Sequence, residues 1–463
     1  MSHFSESIVE EAAIEWFGEL GYSYLPGPEI APDGPTPERS GYDSAVLQDR
    51  LYDALVTINP GVPSESIEEA VRTIIRADAP TPILNNRAFH RMVTDGVDVS
   101  FRRDGDSVTA KVWLFDFQTL ENNDWLVVNQ FTMVENHVNR RPDMVVFVNG
   151  LPLGVIELKN AADDRADLKA AYNQLQTYKA QVPSLFTHNE VLLISDGADA
   201  RVGSLSADFE RFMPWRTVDG ESMAPSGMPL LETVIKGVFE PRVFLDLIRH
   251  FAVFEDDGGK IINKLAAYHQ YHAVKKAVAE TVRASSKSGD GRVGVVWHTQ
   301  GSGKSLSMLF YAGKIIQALD NPTLVVITDR NDLDDQLFGT FALGEELLRQ
   351  SPVQAESRAN LRDLLKVSSG GVVFTTMQKF APLKEESEYP LLSDRRNIVV
   401  IADEAHRTQY DLIDGFARHL RELYRTLGVR GAIAFIRASC AGPRLDPVRM
   451  RRLLAQPLQL QLE

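Results

Sequence analysis

The sequence predicts an α/β protein of two successive domains, the second built on a parallel sheet. Three observations carry this. Short apolar runs at Leu324–Ile327, Val372–Thr375 and Ile398–Ile401 alternate with helical stretches, the rhythm of parallel strands with covering helices. Asn149-Gly150 sits between the β-rich runs Val145–Val148 and Leu153–Ile156, a hairpin signal because both turn positions favour positive φ. A glycine-rich turn, His298–Ser305, follows a buried-looking strand and opens a helix.

At 463 residues with 44% apolar content, the chain is too long for one core and apolar enough to bury two or three. The opening MSHFSESIVEE has neither a basic start nor an apolar stretch, so it does not read as a signal peptide. No apolar run approaches the roughly 18 residues of a membrane span, so no membrane partner is expected. The single Cys440 excludes an internal disulfide framework and a cysteine-built zinc site, and a cytoplasmic setting fits. A net charge of −14 gives no general attraction to nucleic acid, although local patches, not the average, bind phosphate.

Ile8, Ala12, Trp16 and Leu20 recur at helical spacing over Ser7–Leu20. The segment Pro26–Pro37 reads as a proline-rich surface loop, and Ser64–Arg76 as a second helix. From about Phe101 the pattern turns to strands. After the hairpin come a helix near Asp167–Ala180 and a strand at Val191–Ile194. The charged stretch Glu255–Lys260 marks the expected boundary, giving a first domain over 1–255 and a second over 256–424. Ala284–Arg292 is a loose segment ahead of the strand Val293–Trp297.

In HTQGSGKS, Gly301 and Gly303 let backbone N–H groups of the turn, with Ser302 between them, face phosphates. Lys304 brings a point charge to the β- and γ-phosphates of ATP, and the Ser305 hydroxyl suits Mg²⁺. His298 stands where the strict loop has its first glycine. Asp403-Glu404-Ala405-His406 follows an apolar strand. Asp403 would hold Mg²⁺ through water and Glu404 would polarise the attacking water. Upstream, the amide of Gln270 in LAAYHQYHAV can read both edges of adenine, although an amphipathic helix explains the same stretch.

In the first half, Asp143 precedes the hairpin, and Glu157 and Lys159 alternate onto one strand face beyond it. Two carboxylates and an ammonium at one edge suit Mg²⁺-assisted phosphodiester hydrolysis. Gln174 and Tyr178, four apart on one helix face, would reach a phosphate or steady Lys159. A solvated hairpin carrying an ordinary Glu/Lys pair has the same pattern. Glu10 or Glu11 would complete a metal shell, and either equally reads as a surface carboxylate.

The segments RPDMVVFVNGLPLGVIELKN, QLQTYK, YHQYHAV, HTQGSGKS, VVITDRNDLDDQL, FTTMQKF and DEAHRTQY occur in this order. In them the chain resembles, over roughly residues 5–420, the restriction (HsdR) subunit of type I restriction-modification enzymes. The resemblance implies an N-terminal endonuclease domain of the PD-(D/E)xK class followed by a RecA-like motor domain. It makes Asp143, Glu157 and Lys159 the nuclease triad, with Gln174 and Tyr178 in support. It makes Gln270, Lys304, Ser305, Asp403, Glu404 and His406 motor residues. It also implies ATP-dependent action on unmethylated double-stranded DNA alongside methyltransferase (M) and specificity (S) subunits. The competing readings are a nuclease-fused repair helicase and a non-catalytic nucleotide- or DNA-binding remnant.

The family pattern stops after DEAH. From Arg425 onward there are seven arginines, no lysine and only the acids Asp446 and Glu463. Residues 425–463 are therefore expected to form an aberrant or unstructured tail. The chain would then be a C-terminally truncated subunit unable to translocate DNA alone, its ending either a shifted reading frame or a divergent natural one.

Overall fold

The computed structural model describes residues 6–159, 167–225, 227, 229–289, 292–299, 301–328, 331–376, 379, 397–403, 431–438 and 458–462. The chain forms two compact units, Met1–Tyr268 and His269–Glu463. Among the described residues no helix is long and apolar enough to cross a membrane.

The first unit is built on a seven-stranded mixed sheet. Its strands run, in spatial order, Ser23–Pro26, Trp125–Asn129, Met144–Val148, Leu151–Leu158, Val191–Ser195, Ala200–Gly203 and Met213–Pro214. The predicted hairpin is present, with Asn149 at φ 53 and Gly150 at φ 73, the paired positive angles a two-residue turn needs. The Gly150 position is also crowded, since a Cβ there would lie 2.3 Å from the Leu47 carbonyl oxygen. Both hairpin strands are buried along their whole length, as continuous apolar runs covered on two faces should be.

Helix Leu168–Gln181 covers one face with Leu168, Ala171, Leu175 and Tyr178, packed on a core that includes Val145, Phe147, Val155 and Ile194. Helices Glu6–Glu19 and Leu230–Val238 meet at the end of the second, where Phe17 packs edge to face on the capping Phe239 at 5.3 Å and Tyr22, beyond the first helix, donates to the Phe239 carbonyl at 2.8 Å. The approach to strand Val191–Ser195 is fixed by buried polar groups. Asn86 Nδ2 donates to the Asn189 carbonyl at 2.6 Å, His90 Nδ1 lies 3.0 Å from Glu190, and His188 Nε2 lies 2.9 Å from the Ile74 carbonyl.

The hairpin contains a feature that turn and alternation alone do not give. Near the turn, Val148 pairs with Leu151 and Phe147 with Pro152. Further along, Val146 pairs with Gly154, Val145 with Val155 and Met144 with Ile156. Leu153 is the extra residue, a β-bulge. Its carbonyl is turned to the N–H of Glu190 at 2.8 Å.

Two expectations are corrected here. The stretch Glu255–Lys260 is not a linker. Ala252–Asp257 and Lys260–Leu265 form an antiparallel hairpin around Gly258 (φ 62) and Gly259 (φ 91), and the division falls between Tyr268 and His269 rather than after residue 255. The hairpin stays with the first unit because Phe254 packs on His90 at 5.1 Å and the Asn263 N–H donates to Ser206 Oγ at 2.7 Å.

The second correction concerns the 425–463 tail. The second unit is a seven-stranded, all-parallel sheet in the order Pro352–Gln354, Val372–Thr376, Thr323–Thr328, Ile398–Asp403, Gly431–Ala438, Arg292–Thr299, Leu458–Leu462. Gly431–Ala438 is thus an interior strand. The run GAIAFI has the apolar, isoleucine- and phenylalanine-containing composition that parallel strands favour, and that local pattern outweighs the arginine-rich composition around it. Helices Tyr268–Ser285 and Lys304–Ala318 are tied through a buried 2.7 Å contact between Thr281 Oγ1 and Tyr311 OH.

Candidate nuclease and nucleotide sites

Continuing the ladder one step beyond Met144 and Ile156 sets Asp143 directly opposite Glu157, and cross-strand partners share a face. Both face the helix Leu168–Gln181. Asp143 is 6% exposed and Glu157 is fully buried. The Leu158 N–H donates to Asp143 Oδ2 at 2.7 Å, which fixes that carboxylate against the second strand. Lys159, whose N–H donates to the Ser195 carbonyl at 2.8 Å, forms an ion pair with Glu157 Oε1. The sequence grouping of Asp143, Glu157 and Lys159 is thus one cluster in space.

Gln174 Nε2 donates to Tyr178 OH at 2.6 Å, and that hydroxyl lies 3.4 Å from the Arg141 carbonyl. Burial, and next the negative charge of Glu157, push the Tyr178 hydroxyl well above its ordinary range, so it stays a neutral donor beside the carboxylates. Glu10 lies toward the same edge. Its carboxylate accepts from Asn129 Nδ2 at 2.5 Å and Gln130 Nε2 at 2.9 Å, while the Gln130 N–H donates to the Asp143 carbonyl. Glu11 is exposed. No group of three or more metal-donor side chains occurs among the described residues, so Glu10 is not gathered with Asp143 and Glu157. The remaining pair fits Mg²⁺, which commonly takes one or two carboxylates and keeps several waters.

In the second unit, strand Arg292–Thr299 runs into the turn and helix Lys304–Ala318 leaves it. Gly301 (φ 85) and Gly303 (φ 79) take the left-handed conformation that side chains resist. A Cβ on Gly301 would meet nothing within 4 Å, whereas one on Gly303 would lie 2.6 Å from Gln270 Nε2. That amide donates to the Gly303 carbonyl at 3.0 Å, and His269 Nε2 lies 3.1 Å from the Ser302 carbonyl. Burial lowers the His269 pKa, so the ring meets the carbonyl as a neutral N–H donor. Two consecutive side chains therefore hold two consecutive carbonyls of the loop. Gln270 was read from sequence as an adenine contact or as part of an amphipathic helix, and His269 was given no role, since a histidine in the first turn of an amphipathic helix carries no signal of its own.

Lys304 Nζ pairs with Asp403 Oδ1 at 2.5 Å, the two side chains 15% and 9% exposed. Asp403 ends its strand, and Ser305 is half-buried on the first turn of the following helix. Glu404 and His406 lie outside the described residues.

Residues 3–211 match the family described as the type I restriction enzyme R protein N terminus, and residues 269–435 match the SWI2/SNF2 ATPase family. The type I restriction enzyme HindI endonuclease subunit of Haemophilus influenzae is 44% identical over 434 residues, covering 90% of this chain and 41% of that protein. The putative type I restriction enzyme MjaIXP endonuclease subunit of Methanocaldococcus jannaschii is 36% identical over 439 residues, with the same coverage of 90% and 41%. The chain thus spans about two fifths of the length of these relatives. A restriction-type amino-terminal half and an ATPase half, aligned in one order with these relatives, show that the chain belongs to the family of type I restriction enzyme endonuclease subunits.

Proposed function

We propose that the chain supplies the DNA-cutting and ATP-hydrolysing centres of a type I restriction enzyme, acting in the cytoplasm on double-stranded DNA with methyltransferase and specificity subunits. The observation that carries the first half is the burial of Asp143 and Glu157 on one face, with Lys159 against them. Asp143 and Glu157 would hold Mg²⁺. When bound, the metal supplies an acidified water and a charge for the phosphate oxygens. Lys159, paired with Glu157, would orient the attacking water or stabilise charge on the phosphate oxygens. Tyr178 and Gln174 hold a neutral hydrogen-bonding wall beside the carboxylates. The assembly would then be the PD-(D/E)xK arrangement that the sequence resembles.

ATP enters at the other unit between Lys304 and Asp403, which already face each other. Lys304 would bind the β- and γ-phosphates, and Asp403 and Ser305 would hold Mg²⁺. Gly301 and Ser302 present backbone N–H groups, and Gln270, whose amide holds the Gly303 carbonyl, is assigned to the adenine. Glu404 is assigned to the attacking water by its position in the motif.

The test uses the full chain combined with its methyltransferase and specificity subunits on unmethylated plasmid. Asp143→Asn should stop cutting and leave ATP hydrolysis, and Lys304→Ala should do the reverse to hydrolysis. Cutting by Asp143→Asn at the wild-type rate overturns the nuclease assignment.

A further inference from the structure

A groove of about 760 Å³ opens beside the carboxylate cluster, between the Thr132–Arg141 segment and helix Leu168–Gln181. Among the described residues its lining includes Arg140 and Arg141 and no carboxylate. That is unusual for this chain, which carries 63 acidic against 49 basic residues. The other polar side chains are neutral donors or acceptors, chiefly Asn173, Gln174 and Thr177. Asn173 and Thr177 are four apart, on one exposed face of the helix.

The two arginines are not equivalent. Arg140 Nε donates to Gln181 Oε1 at 2.6 Å and Nη1 to the Asn139 carbonyl at 3.0 Å, so this guanidinium is pinned to the end of the helix. Arg141 is exposed, and its guanidinium makes no hydrogen bond or ion pair among the described residues. Its backbone is nevertheless fixed, because its carbonyl faces Tyr178 OH and the next residue, Pro142, is buried. An anchored backbone carrying an unengaged guanidinium is suited to grip a partner. Tyr178 links groove to cluster, since it lines the groove and feels the charges of Glu157 and Asp143.

We infer that this groove is a docking track for the phosphodiester backbone of duplex DNA, with Arg141 gripping a phosphate next to the one presented to Asp143 and Glu157. The inference rests on the nuclease reading of that cluster and adds to it the surface that delivers the strand. A guanidinium fits phosphate by paired hydrogen bonds, and neutral Asn and Thr groups complete phosphate contacts without sequence preference. A carboxylate in the lining would oppose this, and there is none among the described lining residues.

The experiment measures binding of a short fluorescent duplex by the full chain in EDTA, by anisotropy, from low to moderate salt. Each phosphate neutralised contributes a slope of about −0.9 in log K against log salt. Arg141→Ala should flatten the slope by about that amount. Arg141→Lys should keep the slope while weakening affinity. Thr177→Glu, on an exposed helix face, should weaken binding more than Arg141→Ala. Arg102→Ala, an exposed charge outside the groove, should leave both unchanged. An unaltered slope and affinity in Arg141→Ala and Thr177→Glu overturns the proposal. Asp143→Asn separates the two readings: it should retain binding whether or not the groove is correct, and its cutting activity reports on the nuclease assignment alone.

Discussion

Asp143 has a structural duty and, in the proposed nuclease site, a chemical one, and substitution can separate them. Its Oδ2 is the acceptor for the Leu158 N–H at 2.7 Å, and the carboxylate is 6% exposed. Asp143→Ala leaves that buried N–H without its acceptor, at a cost of about 1–3 kcal/mol. Asp143→Asn keeps an oxygen in place and removes one of two negative charges that face each other across the ladder, so its stability should equal or exceed the wild type. For a unit the size of Met1–Tyr268, each kcal/mol shifts Tm by roughly 2–4 °C. The alanine variant should therefore melt roughly 2–12 °C lower, and the asparagine variant should not. Scanning calorimetry of the nucleotide-free chain in EDTA and then in Mg²⁺ checks both duties. Mg²⁺ should raise the wild-type transition and neither variant's. The reasoning is refuted if the asparagine variant melts as low as the alanine variant, or if Mg²⁺ lifts all three alike.

Lys304→Ala should weaken ATP binding roughly ten- to a hundredfold, the range of a lost charge-assisted contact of about 1.5–3 kcal/mol, with isothermal calorimetry as the check. His269→Ala should weaken ATP about threefold to tenfold, one hydrogen bond of about 0.5–1.5 kcal/mol. It should leave the preference for ATP over GTP intact, whereas Gln270→Ala should erase that preference. His269→Asn should restore part of the loss, and wild-type affinity in His269→Ala would show that the loop needs no such support. Burial depresses His188 from 6.5 to about 4. As pH falls from 6.5 toward 4 the unfolded chain takes the proton and the native one does not, so stability falls, by up to about 3 kcal/mol. Above pH 6.5 this residue contributes no slope. Urea midpoints at pH 7 and pH 5 should converge in His188→Gln relative to wild type, and an unchanged difference would remove His188 as the cause.

The hairpin was legible because Asn149-Gly150 has few other uses between two apolar runs. The convergence of Asp143 on Glu157 was reached by an incomplete argument. Counted from the turn alone, Asp143 would sit across from Ile156, which would send Glu157 to the other face. The extra residue Leu153 restores the match. The trace of it in the sequence is Pro152, because proline inside a buried strand lacks a ladder N–H and is tolerated at bulges. The phosphate loop and acidic strand end were legible for a similar reason: glycines at fixed offsets and a carboxylate ending an apolar strand have strict backbone requirements. The Gly258-Gly259 turn was misread as a boundary because glycine beside charge marks both linkers and tight turns, and only packing of Phe254 and Asn263 separates them. The strand Gly431–Ala438 was hidden by judging its neighbourhood on arginine content instead of its own apolar run. Arg141 was passed over because a single exposed arginine is silent until the surrounding lining is known.

The position of Gly431–Ala438 governs when the second sheet can form during synthesis. The strand leading into the phosphate loop, Arg292–Thr299, has as its two sheet neighbours Gly431–Ala438 and Leu458–Leu462. At about 5–20 residues per second, translation from Thr299 to Gly431 takes on the order of ten seconds. Through that interval an apolar strand next to the future ATP site waits with both edges open, a species prone to pair with other chains and to occupy chaperones. The first unit faces no such delay, since its sheet is complete by Pro214 and its last hairpin by Leu265. Ribosome-bound chains halted near residue 420 should therefore protect the first unit from protease while leaving Arg292–Thr299 cleavable.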